Sequence, residues 1–512
     1  MKNNPLWKSQ LFIAFLLFAL VILVRIPSIE QPLDNDSGAI AYHARLILQG
    51  EPLYGTHHPT HHLPAAYYTY AFIFHLLGDR PESLKIVLIG WVWLTGWIVL
   101  LIGKRISGFT TGILAAIFFV LSSSMTNLAG DSAEIELWAN LPLTLIIWLG
   151  IVLPQKRYQT VGYILIGMLG AISFLFKAVY LSSLATICVY LFLDVLIKHQ
   201  RNNWRIFLKQ IIAIIIGCLL VLIPVGGYFE SVGVLDSLLL VFQMGSNYVD
   251  SASFTSIVLI FITPLIIAGY MFLLLTLIGI ISFIRILIHF QKTLLEKQET
   301  GMYEFLLAVW LLTSIVAAGF STFPYPHYVL LILPPISILC AYELPKLFER
   351  QPNFSLKMKS ITLAVLSILV IGNVLLSAKP YLQGYYLYRS GQISYREFIK
   401  EDVWGGVMNL EAEDVAEYIR QNSSPDDKIF CWAIHANIYY MADRRSSSEF
   451  LWPSYSIVLS NPEHIFKKAP IFIVYDPRIG EMPGWLSKNI AQFYKYDRTI
   501  NGIHLFRYIP IS

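Results

Sequence analysis

The chain has 512 residues, of which 56% are hydrophobic and only 14% charged, and its mean hydropathy is +0.60. A soluble domain carries about a quarter charged residues, so this chain must hide apolar surface in lipid as well as in a core. The net charge of +4 is small and lies in short clusters, which argues against a nucleic-acid partner, since such a binder carries a basic face. Cys188, Cys218, Cys340 and Cys431 spell neither a disulfide framework nor a C-x-x-C metal pattern.

At the N-terminus, Lys2 and Lys8 precede an apolar run from Leu11 to Val24. Arg25-Ile26-Pro27-Ser28 follows without a small-residue cleavage site, so the run is expected to be a retained span and not a signal peptide. At about 20 apolar residues per crossing, the sequence predicts about eleven spans. They fall near 10–26, 84–102, 110–128, 136–153, 159–176, 178–197, 206–224, 257–288, 303–320, 327–344 and 359–377, the eighth long enough to tilt or turn at the interface. Basic residues test the parity. Lys104 and Arg105 follow span two, Lys156 and Arg157 follow span four, and Lys198, Arg201 and Arg205 follow span six. Arg285, Lys292 and Lys297 mark the end of span eight, and Lys346, Arg350, Lys357 and Lys359 follow span ten. All fall on the side of the N-terminus, which the positive-inside rule makes cytoplasmic.

The segment 27–82 is then external. Ser37 to Leu48 has helical apolar spacing, and Pro64 opens a second apolar stretch, Ala65 to Leu77, rich in Tyr and Phe. Proline suits the first turn of a helix, and a helix lying on the outer leaflet fits this composition. Reading it as a span would place every basic cluster outside. The segment also carries Asp34, Asp36, His57, His58, His61 and His62. Ionisable residues set beside a span are costly and usually functional. From about Lys379 the character changes, and roughly 30 of the 70 charged residues lie beyond it. Asp414 to Gln421 reads as a helix, and Lys428 to Ala433, Ile471 to Tyr475 and Ile503 to Tyr508 read as strands. The expected organisation is a membrane domain, 1–378, containing the external loop 27–82, and an extracytoplasmic α/β domain, 379–512, with a structural or acceptor-docking role. The tail has no dinucleotide fingerprint, P-loop or nucleophile elbow.

The external loop reads DNDSGAIAYHARLILQGEPLYG and then THHPTHHLPAAYYTY. An acidic residue after the first span, a helix, a G-x-x-x-Y turn, and a His- and Pro-bearing entry to a second helix resemble the GT-C superfamily of glycosyltransferases. Within it the chain resembles the protein O-mannosyltransferase and aminoarabinose-transferase branch. Asp36-Ser37-Gly38 matches the Asp-Glu or Asp-Ser-Gly signature of relatives. His61-His62-Leu63-Pro64 falls where relatives carry a His-Lys-Pro-Pro-like element, with His62 replacing the Lys and Leu63 the first Pro. SFLFKAVYL, with Lys177, resembles a Lys-Gly-Pro element, and FPYPHYVLLILPP, with His327, resembles a His-Tyr element opening a late span. AGDSAEIELWANLPL occupies the place of a second acidic site. The similarity covers roughly residues 10–345.

This resemblance implies a polytopic α-helical membrane protein with a GT-C-like fold, in the plasma membrane of a bacterium. It would move a sugar from a polyprenyl-phosphate carrier to a protein, lipid or glycan acceptor at the outer face, by an inverting single displacement. Asp36, or Asp34, is the expected general base, against N-capping of the following helix. Lys177, His327, His61, His62 and Arg25 are candidates for the donor phosphate, against snorkelling for Lys177 and Arg25. Asp131, Glu134 and Glu136 are candidates for positioning acceptor or sugar, against a helix-start charge preference. His57, His58, His61 and His62 are the candidate ligands for a divalent metal, although Pro59 and Pro64 make this segment a turn. Two other readings compete. A secondary transporter would place charges near the midplane of two repeated halves. A polymerase, ligase or flippase of lipid-linked glycans would carry a larger mid-chain loop than the segment 225–256.

Overall fold

A computed structural model describes residues 6–55, 62–153, 159–198, 201–247, 254–296, 301–320, 325–349, 355–402, 405–452, 465–466 and 468–509. The first helices are α1 (Leu6–Arg25), α2 (Asn35–Leu48), α3 (Pro64–Leu77), α4 (Pro81–Ser107) and α5 (Phe109–Ser122). There follow α6 (Ile135–Val152), α7 (Gln159–Phe176), α8 (Ser182–Lys198), α9 (Arg201–Ser231) and α10 (Leu235–Asn247). Next come α11 (Phe254–Met271), α12 (Leu273–Glu296), α13 (Met302–Gly319), α14 (Leu333–Glu349) and α15 (Leu356–Arg389). The tail holds α16 (Tyr395–Lys400), α17 (Gly406–Gln421), β1 (Lys428–Trp432), α18 (Asn437–Ala442) and β2 (Arg445–Ser446). It ends with β3 (Phe472–Tyr475), a helix Gly484–Phe493, β4 (Tyr494–Ile500) and β5 (Ile503–Tyr508). The chain divides into two compact units.

The first unit comprises 1–29, 85–227 and 248–385. Nine helical stretches among the described residues are long and apolar enough to cross a membrane, with two shorter apolar helices at Phe109–Ser122 and Val258–Met271. Glycines let helix backbones meet. A Cβ on Gly167 would overlap the Ile214 carbonyl, and one on Gly217 would overlap that of Ile164, so α7 and α9 touch reciprocally. Small residues serve this purpose between membrane helices.

The expected eighth span is in fact two helices, α11 and α12, broken at Phe272. Gly319, which ends α13, lies against the Ile260 carbonyl. Asn127, in the turn after α5, donates to the Met271 sulfur at 2.9 Å. Both contacts lie at the same end of the bundle, so α11 runs along that end and α12 alone makes the crossing. The parity expected from one span therefore survives the extra helix. At the opposite end, Arg285 pairs with Glu343 at 2.6 Å, and Lys346 with Glu304 at 3.5 Å. Arg105 lies over the Tyr303 ring there, 5.6 Å from its centroid. Arg105, Arg285 and Lys346, one residue from each of three of the basic clusters, thus share one end of the bundle.

The second unit comprises 30–84, 228–247 and 386–512. Its sheet has the order β2-β1-β3-β5-β4. β2, β1 and β3 run parallel, while β5 is antiparallel to both β3 and β4. The β4–β5 turn is Asn501-Gly502, both at positive φ (51° and 82°), the conformation that suits a tight hairpin. Phe430, Trp432, Ile473, Leu486 and Ile490 form the core on one face of the sheet. The segment 30–84 belongs to the same unit as this tail. The Ala436 amide donates to Asn35 Oδ1 at 2.6 Å, Asn437 Nδ2 to the Leu33 carbonyl at 3.2 Å, and the Ser446 amide to the Tyr42 hydroxyl at 2.9 Å. Arg45, on α2, donates to Asp79, to Asp443 and to the Tyr440 carbonyl at 2.5–2.9 Å.

Candidate functional site

The sequence-predicted residues fall into two groups, one in each unit. In the first unit, the end of the bundle that holds α1's last residue gathers three buried acids and four cationic or imidazole groups. Arg25 is 1% exposed and donates from Nη1 to the Gly130 carbonyl at 2.6 Å. It does not snorkel: a guanidinium held in the protein is the opposite of one reaching for water. Lys85, near the start of α4, is also 1% exposed and donates to the Asp131 carbonyl at 2.7 Å. Asp131, Glu134 and Glu136 are all buried. Glu136 accepts from the Tyr180 hydroxyl at 2.6 Å on Oε1, and its Oε2 has no hydrogen-bond partner among the described residues. Glu134 is the residue before α6 but makes no side-chain capping bond, so its burial is not explained by capping.

Lys177 sits between α7 and the short turn Ala178–Leu181, with its ammonium 4.1 Å from the Tyr328 ring centroid. A cation over an aromatic face is stabilised by about 0.5–2 kcal/mol, which fixes this lysine without neutralising it. His327 is buried, stacked on Tyr325 with ring centroids 5.5 Å apart and edge-on to Tyr328 at 4.6 Å. Tyr328 thus packs against both the ammonium and the imidazole. This end of the bundle combines buried carboxylates with cations, the composition needed to bind a polar, negatively charged ligand at a membrane surface.

In the second unit the two aspartates separate by role. Asp34 is the N-cap of α2: its Oδ1 accepts from the Ser37 amide at 2.7 Å. Asp36 lies in the first helical turn and lines a pocket with Ala39, Ile40, His43, His62, Tyr67, Leu451 and Trp452. Burial holds the Tyr67 phenol well above its ordinary value, and the charge of Asp36 adds to this, so Tyr67 stays an O–H donor. His43 meets Tyr67 edge-on, with centroids 5.4 Å apart. Gly38 has a packing reason: a Cβ there would overlap the Asn437 Cβ and come within 2.9 Å of its Cα. His62 is buried and its backbone carbonyl accepts from Tyr54 at 3.3 Å. His57, His58 and His61 lie outside the described residues.

Sequence reasoning missed Lys85, Tyr180, Tyr67 and His43. Lys85 had a signal, a lone lysine within a predicted apolar span, where a charge is expensive. The other three are polar atoms on apolar-patterned helix faces, and nothing in the spacing marks them.

Residues 409–507 match the family model described as the C-terminal domain of the putative competence-induced protein Ccs4. No curated protein sequence matches the chain significantly. Solved structures do match in fold. ArnT from Cupriavidus metallidurans bound to undecaprenyl phosphate is 13% identical, with a TM-score of 0.63 and 99% of each chain covered. The apo oligosaccharyltransferase of Archaeoglobus fulgidus is also 13% identical, with a TM-score of 0.57, covering 93% of this chain and 71% of that one. The same organism's AglB, in complex with an inhibitory peptide and a dolichol-phosphate, gives 12% identity and a TM-score of 0.55, covering 99% and 75%. The chain has the GT-C fold. The fold expected from the loop motifs is therefore present over the whole length, including the small C-terminal sheet domain.

Proposed function

We propose that this protein is an integral-membrane glycosyltransferase that moves a sugar from a polyprenyl-phosphate carrier to an acceptor hydroxyl or amine at the outer face of the membrane. The observation that carries the reading is the likeness to ArnT bound to undecaprenyl phosphate, which takes in 99% of both chains. The oligosaccharyltransferase is covered for only 71–75% of its length, which favours the single-sugar branch over whole-oligosaccharide transfer. The buried acids and cations at one end of the bundle argue against a transporter, whose charges belong near the midplane.

In the proposed reaction, Asp36 takes the acceptor proton as the nucleophile attacks the anomeric carbon. The bond from that carbon to the phosphate oxygen breaks, its electron pair leaves with the polyprenyl phosphate, and the anomeric configuration inverts. Lys177 and His327 supply positive charge to the leaving phosphate, and such electrostatic stabilisation is usually the largest catalytic contribution. Asp34 serves as the cap that places α2. Asp131, Glu134 and Glu136 bind hydroxyls of sugar or acceptor. Of the loop histidines put forward as metal ligands, His62 is the one among the described residues.

The test is transfer from a panel of radiolabelled polyprenyl-phosphate sugars by the full chain in lipid nanodiscs, wild type beside Asp36→Asn. Transfer from one donor that is lost in the variant supports the reading and names the sugar. Absence of both turnover and polyprenyl-phosphate binding overturns it.

A further inference from the structure

Arg25 and Lys85 come from different helices, yet they hold neighbouring carbonyls of one loop. Arg25 takes the Gly130 oxygen at 2.6 Å and Lys85 the Asp131 oxygen at 2.7 Å. These two carbonyls belong to the peptide planes on either side of the Asp131 Cα. With both planes held, φ and ψ of Asp131 are set, because the peptide groups themselves are rigid. The direction of its carboxylate then depends only on side-chain torsions. We propose that Arg25 and Lys85 are a two-point clamp, a pair of positioning residues that aim the Asp131 carboxylate at the sugar or acceptor. The proposal rests on the transferase reading for what is aimed at, though not for the clamp itself.

Three features of the loop support it. Ala129 adopts the left-handed conformation at φ 51°, which a residue with a Cβ takes only where its surroundings impose it. At Gly130 a Cβ would lie 2.6 Å from the Ser123 carbonyl and 2.8 Å from that of Met125, so the backbone is pressed against the turn before it and cannot drift. Burying a cation is costly unless charge is returned to it, and the loop returns it to Arg25 through the buried Asp131, with which Arg25 interacts electrostatically. Among the described residues the Arg25 guanidinium makes its hydrogen bond to the loop carbonyl, from Nη1, while Nε and Nη2 have none.

The experiment uses the full chain in nanodiscs and two readouts. Hydrogen exchange of the loop amides, residues 126–137, is measured without donor for wild type, Arg25→Met, Lys85→Met and Lys85→Arg. The two methionine variants should exchange faster in this loop alone, and Lys85→Arg should stay near wild type. Transfer kinetics should show Lys85→Met raising the KM of acceptor or donor sugar, or lowering kcat, by about tenfold, the scale of one lost charge-assisted hydrogen bond. Polyprenyl-phosphate affinity should be unchanged. Adding Asp131→Asn to Lys85→Met should then cost little more than either alone. Unchanged exchange in both methionine variants overturns the clamp, as do fully multiplicative effects of Lys85→Met and Asp131→Asn. Faster exchange in a protein that transfers no sugar at all upholds the clamp and removes the transferase reading. If Lys85→Met proves too unstable to purify, Lys85→Gln with Asp131→Asn carries the same test.

Discussion

Replacing Gly38 by Ala tests whether the tail holds the helix that carries Asp36. Gly38 faces the buried Asn437 so closely that an added Cβ would overlap the Asn437 Cβ and reach 2.9 Å from its Cα. The α2–α18 contact cannot open freely, because it is pinned on both sides. The Ala436 amide is bonded to Asn35, Asn437 Nδ2 to the Leu33 carbonyl, and the Ser446 amide to Tyr42. Overpacking a tight site costs about 1–3 kcal/mol, and Gly38→Ala should destabilise the second unit by that amount. Transfer should fall as well, because Asp36 is two residues earlier on the same helical turn. Asn437→Gly removes the opposing Cβ at its own cost, about 1 kcal/mol for glycine in a helix plus about 0.5–1.5 kcal/mol for the lost hydrogen bond. In the double variant the closer overlap, with the Asn437 Cβ, is gone while the 2.9 Å approach to its Cα remains, so its cost should be smaller than the sum of the two by about 1 kcal/mol, the coupling a double-mutant cycle reads. Unfolding of the four proteins in nanodiscs measures this directly. A Gly38→Ala protein with unaltered stability and full transfer would refute the reasoning, and strict additivity would show that the strain lies elsewhere.

Asp36→Asn should lower transfer by about 10²–10⁴-fold, the usual contribution of a general base, with stability unchanged; a variant that retains full kcat removes Asp36 from that role. Lys177→Ala should weaken binding of polyprenyl phosphate, and Lys177→Arg should keep most of it; equal affinity in all three proteins would leave Lys177 as a partner of the Tyr328 ring and nothing more. His435, in the tail, is buried between Glu411 (3.4 Å) and Asp476 (3.6 Å), with Arg478 bonded to both carboxylates. Burial outweighs the two carboxylates and holds its pKa below the ordinary value, with Arg478 adding to the depression. The folded tail therefore binds this proton less readily than the unfolded chain does. Its contribution is whole above about pH 6.5 and is lost as the pH falls below that. Unfolding of the second unit, followed by hydrogen exchange of β1 and β3, should show this slope in wild type and a flatter one in His435→Gln. An identical slope in both would assign it to other groups.

The helices of the first unit were legible because membrane spans announce themselves by length and composition, and the basic clusters fixed their alternation. What the sequence left undivided was the stretch 257–288, read as one span with room to tilt or turn at the interface. Its hydropathy is continuous through Phe272, and only the packing of Gly319 on Ile260 and of Asn127 on Met271 shows that its first half stays at one end of the bundle. In the tail, β1, β3 and β5 carry apolar residues on buried positions and could be read. β4, YKYDRTI, is an edge strand buried chiefly at Tyr494, so its residues are mostly polar and its pattern resembles a loop. β2 is two residues long, too short for any periodicity. Among the candidate site residues, Asp36, Lys177 and the acidic loop stand out by residue type and position. Lys85 could not be given a role, since its partner is a backbone carbonyl 46 residues away.

The separation of Asp34 from Asp36 shows why the acidic pair could not be resolved from the sequence. Asp34 could cap a helix beginning at Asn35 and Asp36 one beginning at Ser37, so a two-residue shift in the start of α2 exchanges their roles. The start is set from outside the loop. Asn35 accepts the Ala436 amide and the Leu33 carbonyl accepts Asn437, both from a segment 400 residues later. These bonds hold the chain just before α2, so Asp34 meets the Ser37 amide and Asp36 falls one turn-position later, facing the pocket with Tyr67. Residues 436 and 437 of the tail therefore help set which carboxylate caps the helix and which lines the pocket.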